Sequence, residues 1–176
     1  MIRGSRLCLI GFLAGLLFWV VAPAQTAPIA LSSRTAADYR LSVAGEVSQA
    51  LKLGPADLAK LPRRTARAKD HDGKDVLFEG VGVADVLELA GVKFGEGLRG
   101  KNLALFLVVE AADGYRAVFA LPELDPAFTD RVTLLAWSRD GAPLTGSEGP
   151  LRIVVPDEKR QARWVRQVVS LTILRA

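Results

Sequence analysis

The sequence predicts a compact α+β domain, a mixed β-sheet arrangement with short helices, and three observations carry that expectation. Short apolar stretches of alternating period recur from about Tyr39 to the C-terminus. Turn pairs, Asp72-Gly73, Asp113-Gly114 and Asp140-Gly141, punctuate them. Only two or three segments have helical spacing, and no segment repeats another. Of the 176 residues, 50% are apolar and 24% charged, the balance of one ordinary domain with enough material for a core.

The chain opens with Arg3 and Arg6 ahead of an apolar run from Leu7 to Val21, followed by the small residues Ala22-Pro23-Ala24. This is the layout of a secretory signal peptide over 1–24, cleaved after Ala24, and it predicts a periplasmic protein. A retained membrane anchor is the competing reading, since the run has about the length at which the two overlap. Residues 25–37 are small, polar and Pro-containing and read as a linker, which leaves 38–176 as the domain.

Within the domain, Leu41 and Val43, then Val47 after Gly45, predict a first strand with a bend, and Leu51 and Leu53 continue its alternation. Pro55 starts a helix of one or two turns that Pro62 ends. The segment RTARAKDHDGKDVLF predicts a hairpin turning at Asp72-Gly73, with His71 at its tip. From Gly80 to Gly91, the residues Val83, Val86, Leu87 and Leu89-Ala90 fall at helical spacing, and Gly91 marks the stop.

Leu103 to Ala111 is a nearly continuous apolar run, which predicts a strand buried on both faces. A turn at Ala112-Asp113-Gly114 leads to a partner strand over Tyr115 to Ala120. LPELDPAF reads as a short helical turn, TLLAWSRDGAPL as a strand entering the Asp140-Gly141 turn, and VVSLTIL as the closing strand.

Between the last two lies GPLRIVVPDEKRQARWVRQV, where chemistry is most visible. The strand Ile153-Val154-Val155 is closed by Pro156 and followed by Lys159, Arg160, Arg163 and Arg166 around Trp164. Cationic groups delivered beside an aromatic face at a strand end suit a flat, anionic ligand, with Trp164 stacking and the cations meeting its polar groups. On charge alone such a run is also what a solvated face looks like. His71, with Asp70 or Asp72, would close the pocket edge from the hairpin turn; a turn histidine kept in water by its aspartates is the plainer alternative.

Several classes are disfavoured. Lys and Arg number 23 against 19 acidic residues, and losing Arg3 and Arg6 with the leader brings the balance near +2, too little field for a nucleic-acid-binding protein. Cys8 is the single cysteine and would leave with the leader, so no disulfide and no metal ligated by a protein cysteine is expected. His71 is the single histidine, and there is no phosphate loop, nucleophile elbow or paired-histidine metal motif.

Three segments resemble the molybdopterin-binding oxidoreductase domain, the core of the sulfite oxidase fold. FEGVGVADVLELAG is similar to that family's W-x-G-V-P-L-x-D-L-L-x-x-A-G segment; DGYRAVFALPELD follows; and GPLRIVVPDEKRQARWVRQV resembles its P-x-R-x-V-V-P strand and the cations after it. The resemblance implies a molybdopterin-type cofactor gripped at its phosphate and pterin, with Arg163 and Arg166 matching the family's cations. It also implies a molybdenum-ligating cysteine shortly before FEGVGV, where this chain reads RTARAKDHDG and has none. That departure resembles a small, stand-alone, exported branch of the fold, some of whose members look like pterin-binding modules reporting to a membrane-bound signalling partner. The expectation is therefore a non-catalytic pterin or molybdopterin-like binding protein with such a partner. The alternative is a molybdopterin-dependent oxidoreductase subunit, working with a separate redox partner, in which no cysteine of the protein ligates molybdenum.

Overall fold

The computed structural model describes residues 39–176. The expected leader with Cys8 and the linker over 25–37 lie outside the described residues. Two five-stranded sheets make up the fold. The first has the order β2-β1-β10-β5-β6, from β1 (Leu41–Gly45), β2 (Leu51–Leu53), β5 (Leu105–Ala111), β6 (Arg116–Ala120) and β10 (Val168–Arg175). The second runs β3-β4-β7-β8, with β9 also paired to β7; its strands are β3 (Arg63–Lys69), β4 (Asp75–Gly82), β7 (Leu134–Arg139), β8 (Ala142–Pro143) and β9 (Arg152–Val154). Two short helices, α1 (Pro55–Leu58) and α2 (Val83–Leu89), complete it. The α+β expectation and its short helices hold. No helix among the described residues is long and apolar enough to cross a membrane.

The hairpin β3–β4 shows how local sequence builds the frame. Ala66 and Ala68 of β3 point inward while Arg63, Thr65, Arg67 and Lys69 face out. Those cations suit an edge strand, because they discourage pairing with another chain. Opposite them Val76, Phe78 and Val81 of β4 enter the core. At Gly80 an added Cβ would lie 2.0 Å from the carbonyl oxygen of Leu135, so only glycine lets β4 approach β7 this closely. In α2, Val83, Val86 and Leu87 are buried, and Gly91, at φ +85°, ends the helical path as expected.

Two expectations are corrected. Leu41–Leu53 is not one bent strand but an antiparallel pair, with Leu41 opposite Leu53. Gly45 turns the chain at φ +93°, against the carbonyl of Ile173, where a Cβ would lie 2.0 Å away. The strand at Leu105–Ala111 is buried on one face only: Leu105, Leu107, Val109 and Ala111 enter the core, while Phe106, Val108 and Glu110 stand half-exposed on the outer face. Apolar residues on the outer face hide this alternation in the sequence.

Candidate ligand-binding site

β9 leaves the core at Val155 and Pro156, and the chain does not rejoin a sheet until β10. The intervening residues have only turns, bends and a short 3-10 turn at Gln161–Arg163. The segment is held by side chains from several elements. Gln161 donates to the carbonyl of Lys69 at the end of β3, and the Tyr115 hydroxyl donates to the carbonyl of Ala162 at 2.6 Å. Gln167 takes a left-handed backbone at φ 50°, which costs a non-glycine residue on the order of 1 kcal/mol. Its side-chain amide donates to the Gly146 carbonyl and its own carbonyl accepts from Ala112, which fixes that turn.

Between this segment, the β3–β4 turn and the β5–β6 turn lies an open cavity of about 800 Å³. A volume of this order is within the range of small-molecule and cofactor sites. Lys159, Arg160 and Arg166 line it, all three exposed, and none has an ion-pair partner among the described residues. Asp70 and His71 line the opposite edge, so the structure brings together two segments about ninety residues apart in the chain. Gln161, Gln167 and Tyr115 add amides and a phenol.

Three residues expected at the ligand stand differently. Trp164 borders the cavity but is only 5% exposed: its Nε1 donates to the Val155 carbonyl at 3.1 Å, and Phe78 meets its ring edge-on at 5.9 Å. The guanidinium of Arg152 sits 5.3 Å from the centre of that ring. Arg163 turns away from the cavity, over the ring of Phe119 at 4.4 Å, with Glu158, Glu123 and the Val118 carbonyl as its partners. Asp72 does not line the cavity; it pairs with Lys74 at 3.0 Å.

Sequence reasoning missed the group beneath the cavity. Arg152, fully buried, pairs with Asp70 at 3.0 Å and with Glu148 at 3.1 Å. Arg139 closes the ring, reaching Asp70 at 2.9 Å and Glu148 at 3.1 Å. The signal in the sequence is a cation inside an apolar run, Leu151-Arg152-Ile153, which a strand can bury only with partners. Its Nε has none among the described residues. Asp70 in turn accepts the His71 backbone N–H at 2.8 Å, which links the ring to the cavity edge.

Burial alone would raise the Asp70 carboxyl, but the His71 N–H and the guanidiniums of Arg152 and Arg139 outweigh it and hold it below the usual carboxylate range. A carboxyl depressed in the folded state stabilises fully above its unfolded value, about 3.9, and loses that contribution as pH falls through the folded value. Urea denaturation of wild type and Asp70→Asn between pH 7 and pH 3 tests this. The variant is expected to be the weaker protein at neutral pH and to converge on wild type in acid.

No curated protein matches the chain. Among solved structures, the sulfane dehydrogenase SoxCD from Paracoccus pantotrophus is similar, with a TM-score of 0.62 at 24% identity over 79% of this chain. The match covers 39% of the SoxCD chain, and at this identity the likeness establishes the fold. The profile of the oxidoreductase molybdopterin binding domain matches residues 26–176, nearly the whole sequence, and the chain therefore belongs to that family.

Proposed function

We propose that this protein is a periplasmic, non-catalytic binding protein for a pterin or molybdopterin-like ligand, and that it relays ligand status to a membrane-bound signalling partner. The carrying observation is the open cavity, with three cations that have no ion-pair partner among the described residues facing Asp70 and His71. Cations without carboxylate partners have no internal ion pair to break, and they gain charge-assisted hydrogen bonds when an anionic group arrives. The amides of Gln161 and Gln167 each commit one N–H to a backbone carbonyl, of Lys69 and Gly146, and keep an acceptor oxygen and a second N–H for the hydrogen-bonding edge of a pterin.

The residues present fit the organic part of a molybdopterin-type group better than its metal. Lys159, Arg160 and Arg166 would hold its phosphate, and the amides would hold its pterin. The metal of such a cofactor, when bound, supplies oxo-transfer chemistry. Residues 39–176 contain no cysteine, and among the described residues no group of three or more His, Cys, Asp or Glu could hold a metal ion. This supports ligand binding over oxo transfer as the role of the site. The export and the membrane partner rest on the leader-like segment over 1–24 and on the branch resemblance.

The test is to purify the protein from its own host without added ligand, and to identify what accompanies it by mass, fluorescence and metal analysis. The expected result is a pterin with no stoichiometric molybdenum. Stoichiometric molybdenum would favour the alternative, an oxidoreductase subunit whose metal is held by the cofactor's dithiolene alone.

A further inference from the structure

We infer that Tyr115, and not Trp164, is the aromatic platform against which the flat ring of the ligand lies. The inference rests on the pterin-binding reading above and assigns within it the residue that meets the ring. Of the Phe, Tyr and Trp side chains among the described residues, two line the cavity, Tyr115 and Trp164. Trp164 has no open face to offer: it is 5% exposed, with a guanidinium at its ring, Phe78 at its edge and its N–H already bonded within the protein. Tyr115 is 50% exposed.

An exposed aromatic serves better as a platform when its motion is restricted. Tyr115 is fixed at both ends, by its backbone N–H on the Asp113 carboxylate at 2.9 Å and by its hydroxyl on the Ala162 carbonyl. Its ring therefore bridges from the β5–β6 turn to the cationic segment. A ligand ring lying on it stays within reach of the wall that carries Arg160 and Arg166. Little ordering remains to be done on binding, which is what makes a tyrosine economical as a contact surface.

The test is titration of the purified chain with 7,8-dihydroneopterin, reading affinity and the ligand's absorbance band, for wild type, Tyr115→Phe and Tyr115→Ala. Loss of a stacking platform costs on the order of tenfold in affinity. Tyr115→Phe keeps the ring and is expected to stay within about threefold of wild type, with the same band shift on binding. Tyr115→Ala is expected to lose about tenfold or more, together with the shift. Wild-type affinity in Tyr115→Ala would overturn the inference and leave the pterin reading intact. Equal losses in both variants would transfer the role to the hydroxyl bond with Ala162 and also overturn it. Failure of wild type itself to bind would overturn the pterin reading and this inference together. Because the side chain is half-exposed, truncation opens no cavity in the core, and a single cooperative thermal transition confirms that each variant is folded, a small fall in its midpoint reflecting the lost bond to Ala162.

Discussion

Arg152→Met is expected to destabilise the protein by about 3 kcal/mol, the lower end of the cost of breaking a buried pair, because it takes from a buried carboxylate one of its two guanidinium partners. The reason is the company that Arg152 keeps. Its side chain is 1% exposed, that of Asp70 6% and that of Glu148 22%. Removing the cation leaves Asp70 buried with Arg139 as its remaining cationic partner, and leaves Glu148 with the same Arg139. The contacts of the guanidinium with the rings of Phe78 and Trp164, at 5.4 and 5.3 Å, are lost as well, about 1 kcal/mol between them. Most of the expected cost comes from the carboxylate left behind rather than from the worth of the pair itself. The double variant Arg152→Met/Asp70→Asn therefore separates the two: by urea denaturation it is expected to be about 1–2 kcal/mol more stable than Arg152→Met alone, and measuring Asp70→Asn as well closes the cycle that gives the coupling energy. A double variant no more stable than the sum of its parts would mean that Asp70 and Arg152 do not interact in solution.

The same ring marks the limit of what the sequence discloses. The β3–β4 hairpin and the end of α2 are legible because their signals are local: Gly73 takes φ +78° in the expected turn, and Gly91 stops the helix. The family is legible too, from three segments in order. The ring is not, because its members stand at positions 70, 139, 148 and 152 and meet only once β4, β7 and β9 are paired. Nor does a charge pattern say which way a side chain turns. Arg160, Arg163 and Arg166 are equivalent in the sequence, yet the 3-10 turn at Gln161–Arg163 rotates Arg163 toward β6 while its neighbours face the cavity. Trp164 misleads for a related reason: an indole among charges looks like a surface ring until its N–H partner, Val155, is seen behind it. Tyr115 carries no charge pattern at all, so only its place in the cavity wall singles it out.

That sorting of the arginines leads to the second large expected effect, the loss of ligand binding in Arg160→Glu/Arg166→Glu. Both side chains are exposed at the cavity and neither has an ion-pair partner among the described residues, so their replacement should change stability by no more than about 0.5 kcal/mol. Hydrogen bonds to charged groups contribute roughly 1.5–3 kcal/mol each, so losing two amounts to at least a hundredfold in affinity, and the introduced carboxylates add repulsion toward an anion. The expectation is sharpest with a pair of ligands that differ in charge. For 7,8-dihydroneopterin monophosphate the double variant should lose on the order of a hundredfold or more; for the unphosphorylated compound the loss should be several times smaller. Raising ionic strength from 0.1 to 1 M shortens the screening length from about 10 to about 3 Å, so wild-type affinity for the phosphate should fall toward that of the neutral ligand, while in the variant, where salt screens the introduced repulsion, it should rise. The contrasting control is Arg163→Ala. Its guanidinium is committed to Glu158, Glu123 and the Val118 carbonyl, so this change should lower stability and leave the salt dependence of binding as it is in wild type. If Arg163→Ala instead removed the salt dependence while Arg160→Glu/Arg166→Glu kept it, the cationic wall would have been drawn on the wrong side of the segment.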